Sequence, residues 1–191
     1  FLHDLSREII KNGHQVKKVY LYAGDGEGKL HLNQEDVELN GNDDHFFEKF
    51  PTINPFLFLK LRREVKKYQP DLILLNGSRT LKYGAFLKKL SGHKQKLVYR
   101  IIDSVSFWNP HTYKQIYYRR LVMPMIDAAV GVSKASLMDV QELHNFSKPA
   151  KVIHRAISTE DFEKVPSRAV IRQKFNLTEE DKVVLFLGNL T

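Results

Sequence analysis

The chain has 191 residues, of which 42% are hydrophobic and 27% charged, and it carries a net charge of +8. The absence of cysteine excludes disulfides and thiolate-ligated metals, and no apolar run reaches the ~18 residues that cross a bilayer. The composition is otherwise that of a globular protein with a sizeable core. The basic balance indicates either a solvated basic surface or a partner that carries phosphate or other anionic groups.

Helix and strand signals alternate along the chain. Helices are predicted by apolar residues three or four apart between Gly, Pro or small polar residues, and strands by short apolar runs. The predicted helices lie at 2–10, 54–68, 80–90, 109–122, 133–144 and 167–175, with Asn109 as an N-cap and Pro110 as the first helical residue. The predicted strands lie at 15–22, 37–39, 71–77, 96–103, 127–133, 151–154 and 183–187. This alternation predicts βαβ units and an α/β fold with a doubly wound parallel sheet.

Polar and charged side chains follow four of the predicted strands. Ligands of open parallel sheets gather at this edge, because backbone N–H groups are unpaired there and helix dipoles favour negative charge. The side chains that could bind a sugar or a phosphate are Ser78, Arg79, Asp103, Ser104, Ser133, Lys134 and Arg155. Plainer interpretations exist for each kind of side chain: the serines as helix caps, the cations as solvated groups, and the carboxylate as a loop cap. No catalytic residue is predicted.

Other motifs give weaker signals. The segment "GDGEG" (24–28) imitates a phosphate loop, but its carboxylates would repel phosphate, and no helix signal follows it. No P-loop, zinc-ligand spacing or nucleophile elbow occurs, so no metal is predicted. Aromatic residues mix with cations at 46–50, 56–68 and 113–120. These segments are typical either of helices packed on the sheet or of a surface that docks on anionic lipid. No nucleic-acid-binding module accompanies them, and no nucleic-acid partner is predicted.

Five segments, in their order and spacing, resemble the N-terminal half of a GT-B glycosyltransferase of the retaining nucleotide-sugar group, a family 4-like enzyme. They are "NGHQV" (12–16), "PDLILLNGSRTLKYGAFLKKL" (70–90), "DAAVGVSKAS" (127–136), "KVIHRAISTEDF" (151–162) and "RAVIRQKFNLTEEDKVVLFLGNLT" (168–191). The resemblance implies a Rossmann-like, acceptor-side domain over 1–178 without its first strand, and the start of a nucleotide-sugar-binding domain at 179–191. We therefore expect a chain trimmed at both ends, with Gly188 and Asn189 on the donor side.

The resemblance implies that the intact protein is a hexosyltransferase. It would transfer a sugar from a nucleotide-sugar donor to an envelope glycan or lipid-linked acceptor, with no metal or other cofactor, in the cytoplasm or at the inner face of the membrane. Asp103 would contact the acceptor hydroxyl, and this chain alone would be inactive.

The sequence departs from the family pattern at Ile102-Asp103, where the family often has histidine, at Arg155-Ala156, usually Asn-Gly, and at Asn189, commonly arginine. A nucleotide-sugar 2-epimerase of the same architecture and a non-catalytic module for glycan or anionic lipid remain open.

Overall fold

The computed structural model describes residues 2–22, 36–41, 52–92, 94–156 and 165–185. Its strands are β1 (Val19–Tyr22), β2 (Val37–Gly41), β3 (Leu72–Asn76), β4 (Lys96–Ile101), β5 (Ala128–Gly131) and β6 (Ala150–Val152). Its helices are α1 (Leu2–Lys11), α2 (Pro55–Tyr68), α3 (Ser78–Ser91), α4 (Val105–Trp108), α5 (Thr112–Tyr117), α6 (Lys134–His144) and α7 (Arg168–Lys174). The chain divides into two compact units, 1–155 and 156–191. The motifs at 24–28 and 46–50 lie outside the described residues.

The first unit contains two parallel sheets. Strands β3, β4, β5 and β6 form one sheet in that order, and β1 pairs with β2 in the other. In the larger sheet Asn76 lies beside Arg100, which lies beside Val130, and Gly131 lies beside Val152. Every neighbouring pair in both sheets is parallel. The predicted α/β fold, with its Rossmann-like parallel sheet, is confirmed.

One face of the larger sheet carries the main core. Parallel partners point to the same side, so alternate residues of β3, β4 and β5 line this face. Helices α3 and α6 pack against it, and the turn that follows α5 packs against both helices. The buried residues of this core include Leu75, Leu81, Ala85, Leu97, Tyr99, Ile101, Tyr118, Val122, Ala129, Leu137 and Val140. Burying this apolar surface fixes the positions of the strands and therefore of the loops at their ends.

A second core lies under the smaller sheet. It joins Leu21 of β1, Leu39 of β2, Leu57 of α2 and Tyr83 of α3. The side chain of Asn54 caps α2 by accepting the N–H groups of Phe56 and Leu57, at 3.0 and 3.3 Å. The Asn54 N–H donates to the Tyr83 hydroxyl at 3.1 Å. Since α3 contributes to both cores, it connects the two sheets.

The prediction that a helix begins at Asn109 and runs to 122 is wrong at its start. A separate turn, α4, occupies 105–108, and α5 begins at Thr112 with His111 as its N-cap. Asn109 is fully buried, and its N–H donates to the Val105 carbonyl at 2.9 Å, so this residue ends α4 and caps no following helix. A π-helical turn, Tyr118–Val122, and a 3-10 turn, Met123–Met125, then lead towards β5.

The first strand is shorter than the strand predicted over 15–22, since β1 begins at Val19.

The second unit is described for Ala156 and for 165–185. Helix α7 matches the helix predicted over 167–175. The strand predicted over 183–187 is not formed at 183–185, because Val183, Val184 and Leu185 pair with no strand in the described part of this unit. They are 58%, 94% and 78% exposed. Residues 186 and 187 lie outside the described part, and the domain boundary at 178/179 stays a prediction.

Candidate functional site

The ends of four adjacent strands form the candidate site. Because β3 to β6 are all parallel, their carboxyl ends meet at one edge of the sheet. Neighbouring strands lie ~4.8 Å apart, so the four loops span roughly 14 Å. The predicted residues of this set follow β3 (Ser78, Arg79), β4 (Asp103, Ser104), β5 (Ser133, Lys134) and β6 (Arg155). The topology therefore brings all seven to one edge, whereas Gly188 and Asn189 lie outside the described residues.

The turn after β3 depends on Gly77. This residue has φ 86° and ψ 175° and forms the N-cap of α3, so Ser78 is the first helical residue and caps no helix. The Gly77 N–H donates to the Arg100 carbonyl at 3.2 Å. The Arg79 guanidinium lies 5.4 Å from the centroid of the Tyr22 ring, a cation–π contact with β1.

The loop after β4 contains Ser104, which is hydrogen-bonded within the protein, and Asp103, which is exposed to solvent. The Ser104 hydroxyl donates to Asp139 of α6 at 2.8 Å, and the Ser106 N–H donates to the same carboxylate oxygen at 2.9 Å. Burial opposes ionisation of Asp139, but these hydrogen bonds outweigh it and hold its pKa below the ordinary value. The neighbouring Asp103 is exposed. Burial is the main cause that raises the pKa of Tyr99; Tyr118 and then the negative charge of Asp103 raise it further. Asp103 can therefore accept a hydrogen bond from a ligand, while Ser104 already has a partner.

Helix α6 begins directly after β5. Its N-cap is Ser133, whose hydroxyl accepts a hydrogen bond from the Ser136 N–H at 3.1 Å. The Ser133 N–H in turn donates to the Ser136 hydroxyl at 3.3 Å, which completes a capping box. Lys134 is the first helical residue and is exposed. The interpretation of Ser133 as a helix cap is thus correct, and this hydroxyl is engaged within the protein. The N–H groups of the first turn and the Lys134 ammonium provide positive potential at this point.

The loop after β6 completes the edge. The Ile153 N–H donates to the Gly131 carbonyl at 3.0 Å, which extends the pairing with β5. The His154 ring nitrogen Nδ1 lies 3.2 Å from the Val132 carbonyl, and both His154 and Arg155 are exposed. Arg155 is the last residue of the first unit.

Arg100 lies at the candidate site and was not predicted from the sequence. It is 8% exposed and lies one residue before the end of β4. Its Nη1 donates to the Asn76 side-chain oxygen at 2.7 Å. Burial and the nearby positive charge of Arg155 lower the pKa of Arg100. The available signal was a single cation inside the apolar run "LVYRII".

The edge is therefore electropositive and rich in donors. The edge carries four cations, Arg79, Arg100, Lys134 and Arg155, and two carboxylates, the exposed Asp103 and Asp139, which Ser104 and Ser106 already engage. Such a set can bind hydroxyl groups and anions. Over the described ranges, no group of three or more histidine, aspartate or glutamate side chains could hold a metal ion.

Comparison with known proteins shows a similarity to one family model and to solved structures. The family model described as Glycosyltransferase Family 4 matches residues 1–161. The crystal structure of a glycosyltransferase from Rickettsia africae ESF-5 is 15% identical, with a TM-score of 0.63. The match covers 92% of this chain but only 45% of that one, and at this identity it shows the fold alone. No curated protein matches the chain.

Proposed function

Since the chain belongs to glycosyltransferase family 4 and has the fold of a GT-B N-terminal domain, we propose that the protein transfers a sugar from a nucleotide-sugar donor to an acceptor hydroxyl bound at the carboxyl edge of the β3–β6 sheet. One observation supports this placement above the others. The parallel order of the four strands gathers an exposed carboxylate, hydroxyls and several cations at a single edge. The acceptor would be an envelope glycan or a lipid-linked sugar.

Sugar transfer makes two physical demands. The leaving diphosphate must be stabilised, and the acceptor hydroxyl must be held against the anomeric carbon. We assign the second task to this chain. Asp103 accepts a hydrogen bond from the acceptor hydroxyl, and Arg155 and Lys134 bind other polar groups of the acceptor. We assign stabilisation of the leaving diphosphate to a donor domain, in which Gly188 and Asn189 would make the first contacts with the donor. Because that domain is needed for transfer, the 191-residue chain alone would be inactive.

The proposal is tested with the intact protein, by following sugar transfer from a panel of radiolabelled nucleotide sugars to glycan and lipid extracts. We expect Asp103→Asn to reduce transfer at least tenfold, because the neutral amide accepts a hydrogen bond more weakly than the carboxylate. The matched control is Asp71→Asn. Asp71 is also exposed, but it precedes β3 and so lies at the opposite edge of the sheet.

Three outcomes would contradict the proposal. Conversion of the donor sugar with no acceptor present would favour the epimerase alternative. Equal activity of the Asp103 and Asp71 variants would remove the acceptor site from this edge. Transfer by the 191-residue chain alone would show that the donor site does not need another domain.

We also propose that the protein docks on an anionic membrane surface through residues 104–126. Residues 104–126 contain no aspartate or glutamate but include Lys114, Arg119 and Arg120. Phe107, Tyr113 and Ile116 of the same segment are 88%, 59% and 46% exposed. Exposed aromatic and aliphatic groups beside cations favour the interface of an anionic bilayer. Among the described helices, none is long and apolar enough to cross a membrane.

A further inference from the structure

Arg100 is placed by the sheet itself. In the register of β3, β4 and β5, Asn76, Arg100 and Val130 form one row on the face opposite the main core. This row lies one residue before β4 and β5 end, so a long side chain from it reaches the carboxyl edge. The hydrogen bond from Nη1 to Asn76 holds the guanidinium on the β3 side of the row. Arg100 is therefore a fixed cation at the edge.

Arg155 approaches the same place from another strand. It follows β6 by three residues, and its charge is near enough to disfavour ionisation of Arg100. Arg100 is buried whereas Arg155 is exposed, so one guanidinium is held by the protein and the other is open to a ligand. Two like charges brought together repel each other, and an anion bound between them removes that repulsion.

We infer that Arg100 and Arg155 bind a phosphoryl group of the acceptor, so that the acceptor class is a phosphorylated compound, such as a sugar or polyol carried on a phosphate. The inference rests on the proposed function. Guanidinium groups form paired hydrogen bonds with phosphate oxygens. The N–H groups that open α3 and α6, together with Lys134, add positive potential at the same edge. A multiply charged anion matches this set better than a neutral sugar does.

Direct binding measurements test the inference without sugar transfer. Glycerol 1-phosphate and glycerol are titrated into the protein by calorimetry at low ionic strength. We expect binding of the phosphate compound only, and a loss of at least tenfold in affinity for Arg155→Gln and for Arg100→Lys. The lysine variant keeps the charge but loses the fork of donors. Lys96→Gln is the control, because Lys96 is an exposed cation at the start of β4, at the opposite edge of the sheet, and should leave the affinity unchanged.

The outcomes separate the possible explanations. If Arg100→Lys disturbs folding, as seen by circular dichroism, the exposed Arg155 decides the result. Unchanged glycerol 1-phosphate affinity in folded arginine variants would overturn the inference. So would arginine-dependent binding of uridine diphosphate without binding of glycerol 1-phosphate, because the site would then serve the donor.

The inference and the proposed function can fail separately. Unchanged sugar transfer in both arginine variants would overturn the phosphoryl site and the part assigned to Arg155, and would leave intact the proposal that sugar is transferred to an acceptor held by Asp103 at this edge. Arginine-dependent binding of glycerol 1-phosphate in a protein that transfers no sugar would keep the phosphate site but reject its assignment to an acceptor.

Discussion

The side chain of His144 is buried in a setting that disfavours its charge. It is 2% exposed, and within the described part of the chain neither ring nitrogen has a hydrogen-bond partner. Its ring lies 5.8 Å from that of Tyr118, measured between centroids. Burial, and secondarily the charge of Arg119, lower its pKa to about 4, while Asp139 opposes the shift. The folded protein therefore holds His144 as neutral imidazole at neutral pH.

This burial predicts a pH dependence of stability. Between pH 6.5 and about 4, the unfolded chain binds a proton at His144 that the folded chain does not. The free energy of unfolding should therefore fall as the pH decreases through this window, by up to roughly 3 kcal/mol. Urea denaturation at pH 7.5, 6, 5 and 4 measures it. His144→Phe should flatten the dependence in this window.

The control for this prediction is His111→Gln, which removes an exposed histidine. It should keep the pH dependence of the unmodified protein. A dependence that persists unchanged in His144→Phe would mean that another group causes it.

Single residues also mark the limit of what the sequence could show. Ser133 was interpretable as a helix cap, because a small polar residue before an apolar-periodic run is a local signal. Arg100 was not found, because its role depends on a register with Asn76, 24 residues away in the chain. Likewise, the hydrogen bond from the Ser104 hydroxyl to Asp139 joins segments that are distant in the sequence, so it could not be predicted either. Local chemistry could be predicted, whereas pairings across the fold could not.

At the scale of elements, the strands and most helices followed from their own apolar patterns. Helix α2 and the order of parallel strands are as predicted, since each has a clear periodicity and end signals. The start of α5 was misplaced, because Asn109-Pro110 has the local form of a helix start. In the structure, Asp139 of α6 accepts the Ser106 N–H and so stabilises the earlier turn α4. A tertiary contact thus overrides a capping signal.

The junction between β3 and α3 should tolerate glycine alone. Gly77 has φ 86° and ψ 175°, a region that residues with a Cβ rarely occupy. A Cβ there would lie 3.1 Å from Cδ1 of Ile102. We expect Gly77→Asn to lower the free energy of unfolding by roughly 2 kcal/mol. Chemical denaturation measures the loss.

Gly92 offers a matched control at the other end of α3. It has φ 60° and ψ 22°, the left-handed region that asparagine accepts, and a Cβ there meets no atom within 4 Å. Gly92→Asn should therefore cost less than about 1 kcal/mol. Equal losses for the two variants would show that crowding and backbone geometry at Gly77 are not the reason for its glycine.

For the molecule as a whole, the charge distribution predicts where it would meet a membrane. The 23-residue segment 104–126 is free of acidic residues and follows directly after Asp103, the proposed acceptor contact. Each cation near an anionic bilayer contributes about 1 kcal/mol, so its three cations contribute about 3 kcal/mol. Docking through this segment would bring a lipid-linked acceptor close to the carboxyl edge of the sheet.

Cosedimentation with vesicles tests this docking. We expect binding to vesicles of phosphatidylglycerol and phosphatidylcholine, little binding to phosphatidylcholine alone, and release at 500 mM salt, where surface charges are screened. Phe107→Ser should weaken binding, because it removes an aromatic group that is 88% exposed and free to enter the interface. Leu90→Ser is the control, since Leu90 is 62% exposed on α3, outside this segment. Equal binding to neutral and anionic vesicles, or equal losses for both variants, would contradict docking through residues 104–126.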